Sequence, residues 1–525
     1  MKIQLHYFRQ AALHYKAKFF ISTLLALLCA ILSVMIPVLL KWLLQAMSNA
    51  STATLLAIGS LIALCIILSI ATTIALYISL DAFGGLFLKD LEHNLRSQLL
   101  QCSMSFADEK GNNILSHTLY ADSLEVFCVI GHHFPMLMAS VLIIVGTLVL
   151  SLMGSAYIAG YLLISVCAGI AISMVSRRAI YKASSQTNVK LKGLHELTNQ
   201  FAQTLLSAKT NSEGDYYERK FSDAIGSFIE TSKREDEKVY LFSGITNNFN
   251  LVVEILLSVL VSIPLAGRSI PNYAFYVFIF SLTMKQAEKI EGLLQQIIKS
   301  EICFKNVDEI LKLRTPSRDV ELDEINSVRF EKVCFGYDKN AQVLTDYSLT
   351  LNSGDHLFLK GENGSGKSTI LKLLRGFYRA QSGSVLLNDI DINSVKLESL
   401  HKNILYIGQD EVLLNETPID YLFEVVKPIL GVTFGVAQAE PILNYVGIED
   451  ISSPITDNGE SLSGGQRKKL LFAKLIALSK SASVILIDEL HAGLDVETKA
   501  KLDSFIEELI EKKDKIVVVV SHDNW

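Results

Sequence analysis

GENGSGKST, Gly361–Thr369, lies between HLFLK, which reads as a buried strand, and TILKLLRGF, which reads as a helix. Gly361, Gly366, Lys367 and Ser368 fill the fixed places of G-x-x-x-x-G-K-[ST]. The strand–loop–helix setting separates a phosphate-binding loop from a Gly-rich turn with no ligand. Glycines let the backbone curl so that successive N–H groups point inward, and the helix N-terminus behind the loop adds partial positive charge. Lys367 can reach the β- and γ-phosphates of a nucleotide, and Ser368 can ligate Mg²⁺. Gly361, Glu362, Asn363, Gly364, Ser365, Gly366, Lys367, Ser368 and Thr369 are the candidate nucleotide contacts of this loop.

Toward the C-terminus, LSGGQRKKL at Leu462–Leu470 is the next most specific feature. Ser463, Gly464, Gly465 and Gln466 set a hydroxyl and exposed backbone N–H groups before a helix, which makes a second anion-binding end. A single site has little use for two phosphate cradles. Two chains arranged head to tail do, because each cradle can close on the nucleotide of the other. VILIDE at Val484–Glu489 reads as a buried strand ending in two carboxylates, with Asp488 placed for the Mg²⁺ shell and Glu489 placed to polarise an attacking water. Gln409 (YIGQD) follows a strand-like run and can meet the metal, and His522 (VVVVSHD) ends a strand from which it can contact the γ-phosphate. Tyr337 (VCFGYD) reads equally as an adenine-stacking ring and as a strand aromatic in the core.

The remainder of the chain has another character. At 525 residues it exceeds one domain, and with 50% hydrophobic but only 19% charged residues it is too apolar for a purely soluble protein. A net charge of −6 with no large basic block excludes nucleic acid as the expected partner. The seven cysteines are scattered, and four fall in apolar runs, so they read as small buried hydrophobes and not as a disulfide frame or metal site. The first apolar run is too long for a signal peptide and no small-residue cleavage site follows it.

Spanning a bilayer takes about 20 mostly apolar residues. Six stretches qualify, at about 19–47, 53–83, 134–154, 157–175, 240–267 and 271–297, the strongly apolar part of the last ending near Met284. The N-terminus and the connections 84–131 and 177–238 carry the Lys and Arg residues, whereas the other loops hold almost none, so the N-terminus and both long connections are expected in the cytoplasm. These connections read as helical extensions with a crossing tip each, at Asn112–Asp122 and within Leu205–Asp215. In the fifth span Asn247, Asn250 and Glu254 share one helix face. An acid there is expected to face a transport cavity or, on the blander reading, an interhelical partner.

Tyr337, GENGSGKS, Gln409, LSGGQ, VILIDE, GLD with Asp495, and His522 follow one another in the order and spacing of an ABC-transporter ATPase domain. With the six-span half in front, the chain resembles an ABC exporter half-transporter, and FADEKGNNILSHTLYADS resembles the exporter first-loop pattern. The general look of the membrane half is similar to bacterial exporters of antimicrobial peptides. The resemblance implies a multidomain protein, an all-α six-helix transmembrane domain (1–312) and an α/β P-loop ATPase domain (328–525) joined by a linker (313–327). It further implies ATP and Mg²⁺ as ligands, a role for Asp495 at the nucleotide, a homodimer or a pair with a second half-transporter, and a place in the bacterial inner membrane. The expected activity is ATP-driven export of a peptide or other amphipathic molecule. A lipid flippase with the same engine is the alternative, and a channel or regulator is a third class. Leu490-His491-Ala492-Gly493 stands where the family usually has Pro-Thr-Ser-Ala, which puts the inter-subunit contacts of that loop in question. No peptidase-like Cys/His region precedes the spans, so leader cleavage is not expected.

Overall fold

The computed structural model describes residues 2–47, 51–154, 156–205, 214–265, 270–313, 318–337, 342–362, 364–408, 411–430, 435–456, 459 and 461–520. The chain divides into two units, Met1–Leu100 with Lys110–Leu313, and Gln101–Glu109 with Arg314–Trp525.

The first unit is helical. Its elements are α1 (Lys2–His14), α2 (Lys16–Ala46) and α3 (Thr52–Gln101), then a run of helix from Asn112 to Gly154 containing α5 (Asn112–His117), α6 (Ser123–Cys128) and α7 (Phe134–Gly154). There follow α8 (Ala156–Gln203), α9 (Gly214–Leu265), α10 (Ile270–Lys299) and α11 (Glu301–Leu311). Among the described residues, helices at Lys16–Ala46, Thr52–Gln101 and Ile114–Met153 are long and apolar enough to cross a membrane, and Ala156–Ala168 is a shorter apolar stretch. The 50 residues of α3 extend roughly 75 Å, against about 30 Å for the hydrocarbon layer, so each such helix must continue well beyond it. α8 and α9 pack along one another, and α10 packs on α2, α7 and α8.

Several polar groups buried in this unit are paired across helices, which offsets the cost of burying them. Thr283 on α10 donates to Thr147 on α7 at 2.9 Å. Asp122, almost fully buried, accepts from Asn306 of α11 at 2.7 Å and has Lys192 of α8 at 3.9 Å, tying three helices together. Two π-helical turns, Thr118–Asp122 and Val129–His133, interrupt the 112–154 helix. The second brings Gly131 against Gly84 of α3: a Cβ on Gly84 would lie 2.9 Å from the Gly131 Cα and 2.7 Å from the Phe127 ring. Gly84→Ala is therefore expected to destabilise this unit by about 1–3 kcal/mol, because overpacking here meets backbone. An unchanged thermal unfolding midpoint for the purified variant in detergent would refute this.

In the second unit, a four-stranded parallel sheet has the order β3–β8–β7–β6, formed by His356–Leu359, Ile516–Val520, Val484–Asp488 and Ile404–Ile407. β7 (VILID) and β8 (IVVVV) are buried at every position, as expected of strands covered on both faces. Alternation assigns the residues to two cores. Ile485, Ile487, Val517 and Val519 join the helices α16 (Gly464–Ser479) and α17 (Val496–Glu511). Val484, Leu486, Ile516, Val518 and Val520 join α12 (Lys367–Leu374) and a second, antiparallel sheet. That sheet has the order β2–β1–β4–β5, from Leu344–Asn352, Ser327–Phe335, Ser382–Leu387 and Ile390–Asp391. The short helix α4 (Met104–Lys110) begins in this unit: Met104 N–H donates to the Phe377 carbonyl at 3.2 Å, and Tyr378 donates to Asp108 at 2.5 Å. The segment that groups with the second unit is thus Gln101–Glu109, ahead of the Asn112–Asp122 stretch read as a crossing tip. Residues 206–213, within the other expected tip, lie outside the described residues.

Candidate functional site

Parallel strands end together, and their carboxyl ends form the ligand edge of an open α/β sheet. Here the register pairs Leu359 of β3 with Val520 of β8, and Val520 with Asp488 of β7. The loop after β3 and the carboxylate ending β7 therefore meet at one edge. Gly366 caps α12 with φ 90°, a left-handed conformation, and a Cβ there would lie 2.9 Å from Leu344, so this place suits glycine alone. Lys367 is buried, and its Nζ donates to the carbonyls of Gly361 at 2.7 Å and Glu362 at 2.9 Å. The ammonium is thereby held inside the curl of the loop, where incoming phosphate oxygens can take over as its partners. Gly361, Glu362, Gly364 and Ser365 are exposed on the rim, while Thr369 is buried and its Oγ1 is 3.2 Å from the Tyr337 hydroxyl.

Ser368 Oγ donates to Asp488 Oδ1 at 3.4 Å, and the Tyr406 hydroxyl donates to Asp488 Oδ2 at 3.4 Å. Burial pushes the Asp488 carboxyl above its usual range and the neighbouring Glu489 adds to this, while the Ser368 and Tyr406 hydrogen bonds oppose it. A cation restores the ionised form, and a hydroxyl beside a carboxylate is the hard oxygen pair that Mg²⁺ takes. Tyr337 is half-exposed, not core: its ring packs edge-on against Phe335 and Tyr378, leaving surface for a base.

LSGGQ forms a helix start. Ser463 Oγ accepts from the Gln466 N–H at 3.2 Å, and Gln466 Oε1 accepts from the Ser463 N–H at 2.9 Å, a reciprocal capping box. Ser463 and Gly464 are exposed, so the positive end of α16 faces outward. Asp495 caps α17 by accepting from Thr498 N–H at 2.8 Å and pairs with Lys469 at 2.7 Å, which, with the cap, holds its carboxyl well below the usual range.

The structure thus brings Lys367, Ser368, Asp488 and Tyr337 to one edge. Asn363, Gln409 and His522 lie outside the described residues. Asn247, Asn250 and Glu254 fall on α9, their side chains likewise outside the description. Tyr406 on Asp488 escaped the sequence reading, since nothing in the run ILYI marks its partner in another strand.

Residues 344–492 match the family model described as ABC transporter. The chain is 25% identical over 62% of its length to the lactococcin-G-processing and transport ATP-binding protein LagD of Lactococcus lactis subsp. lactis. It is 24% identical over 87% of its length to an ATP-dependent lipid A-core flippase of Methylococcus capsulatus. It spans 48% of the first protein and 77% of the second. The structure of a bacterial Atm1-family ABC exporter with ATP bound superposes with a TM-score of 0.85 at 16% identity, covering 97% of this chain and 91% of the other. The findings agree that residues 344–492 form an ABC transporter ATPase domain, and that the chain joins it to apolar helices in the fold of an ABC exporter.

Proposed function

We propose that the protein is an ATP-driven exporter of the bacterial inner membrane that works as a dimer, most simply with a second copy of itself. The observation that carries this is the fusion, in one chain, of apolar helices with an ABC ATPase domain whose LSGGQ end faces outward. ATP is held by the phosphate loop of one chain and closed over by Ser463–Gln466 of the other, with Tyr337 against the adenine and Asp495 at the rim. Ser368, Asp488 and Gln409 would hold Mg²⁺, which when bound screens the phosphate charge. Glu489 polarises the attacking water, and His522 contacts the γ-phosphate. The six spans of the sequence reading return the chain to the cytoplasm, where the N-terminus and ATPase domain lie.

The cargo we infer is a peptide or other amphipathic molecule, and the peptide-transport relative supports it. The flippase relative, aligned over most of the chain, favours a lipid-type cargo as second reading. ATP-dependent accumulation of a labelled amphipathic peptide in sealed inverted vesicles supports export. Movement of a labelled lipid between leaflets with no peptide uptake would shift the reading to a flippase, and dissipative flux along a gradient would make it a channel.

Asn247, Asn250 and Glu254 are proposed to line the cavity. Glu254→Gln preserves shape and removes charge. The expected outcome is unchanged basal ATP turnover with cargo stimulation and uptake reduced about tenfold, the scale of one lost charge contact. Normal uptake by a folded Glu254→Gln protein would remove the residue from the cavity.

A further inference from the structure

We propose that His491 and Asp503 form a latch that fixes the Glu489 carboxylate in its working position, with His491 as a positioning residue for hydrolysis. The inference rests on the ATPase reading. Glu489 adopts φ 50°, in the left-handed region that residues with a side chain avoid. Such a conformation persists only where its surroundings over-determine it. Glu489 is tied on its backbone: its N–H donates to the Val520 carbonyl at 3.1 Å, and its carbonyl accepts from Lys468 Nζ at 3.2 Å. Both fix the peptide groups on either side of the residue. They hold the turn itself, and the direction of the chain beyond it depends on the loop that follows.

That direction is set two residues on. Leu490 is fully buried in the core beneath α16 and α17. His491 is 5% exposed, and its Nε2 lies 2.8 Å from Asp503 Oδ1. An ionised carboxylate can only accept, so Nε2 carries the proton and donates. Asp503 belongs to α17, whose N-cap, Asp495, is itself paired with Lys469. The segment from Leu490 to Leu494 thus runs between two anchored ends, with the imidazole pinned near its start. Without that pin the loop can relax out of the left-handed turn, and relaxation swings the Glu489 side chain away from the sheet edge where the phosphate loop and Asp488 meet.

The test uses the full-length purified protein in lipid. Steady-state ATP turnover gives kcat and KM, and a trinitrophenyl-labelled ATP reports nucleotide affinity. His491→Ala and Asp503→Ala are each expected to lower kcat on the order of tenfold, the scale of a small misplacement of a reacting group. KM and analogue affinity should stay unchanged. His491→Gln, which keeps an N–H near the Nε2 position, should retain most of kcat. The double alanine variant should lose no more than either single one, because the pair acts as a unit. Asp503 is partly exposed, so its variant carries the test if the buried imidazole proves necessary for folding. Wild-type kcat in Asp503→Ala, additive losses in the double variant, or equal losses of binding and turnover would each overturn the latch. A wild-type chain with no turnover would overturn the ATPase reading and the latch with it.

Discussion

Lys367→Ala is expected to lower ATP turnover by about 10²–10³-fold, the scale of losing one charged contact to a developing anion, and to weaken ATP binding as well. The ammonium is the cation that the phosphate loop itself carries, and it sits inside the curl on the carbonyls of Gly361 and Glu362. Its removal takes away the charge aimed at the phosphates and leaves two carbonyl dipoles pointing at the space an anion must enter, so both ground-state binding and turnover suffer. The loop should still form, since Gly366 and α12 are shaped by glycine conformation and by packing of Ile370, Leu371, Leu373 and Leu374. Calorimetric ATP titration and phosphate release on the purified variant measure the two effects. Undiminished turnover would remove the phosphate-loop assignment.

Ser463→Arg should separate binding from hydrolysis. Ser463 caps α16 at an exposed position, and arginine there loses the cap and, in the proposed head-to-tail dimer, pushes a bulky cation toward the nucleotide of the other chain. The lost cap costs about 1 kcal/mol, too little to unfold the domain. The phosphate loop of the same chain is untouched, so ATP binding should persist while turnover falls at least about a hundredfold, as when a donor to the transition state is lost. If binding falls in step with turnover, the head-to-tail arrangement loses its support.

Local geometry was legible in the sequence; partnership across strands was not. Glycines, a lysine and a serine at fixed spacing define the phosphate loop because the turn is made by those residues alone. VILID announced a buried strand because both faces of a parallel sheet are covered. Its neighbours, β6 and β8, come from runs 80 residues before and 32 residues after it, counted start to start, and no local pattern states that pairing. For the same reason Tyr406, an ordinary strand aromatic, gave no sign of reaching Asp488. Leu490–Gly493 registered only as a departure from the family pattern. Its content, a buried imidazole on a carboxylate 12 residues away, needs α17 folded back on the sheet. Among the described residues the two long connections are mostly helix, as their amphipathic patterns suggest, and Asn112–Asp122, read as a crossing tip, is itself helical. In the structure that helix carries two π-turns, and the segment that groups with the second unit, Gln101–Glu109, lies just ahead of it.

The bond between Tyr378 and Asp108 joins residues 270 positions apart. A ribosome adding about 5–20 residues per second needs roughly 15–55 s to make that interval. Through this time the 101–109 segment exists without the surface it rests on, while the helices that follow it are already being threaded into lipid. Closing this contact is thus a late event in biogenesis, and a nascent chain released before Tyr378 emerges leaves α4 bare to proteases and chaperones. Limited proteolysis around residues 101–110 should therefore distinguish stalled chains from finished ones.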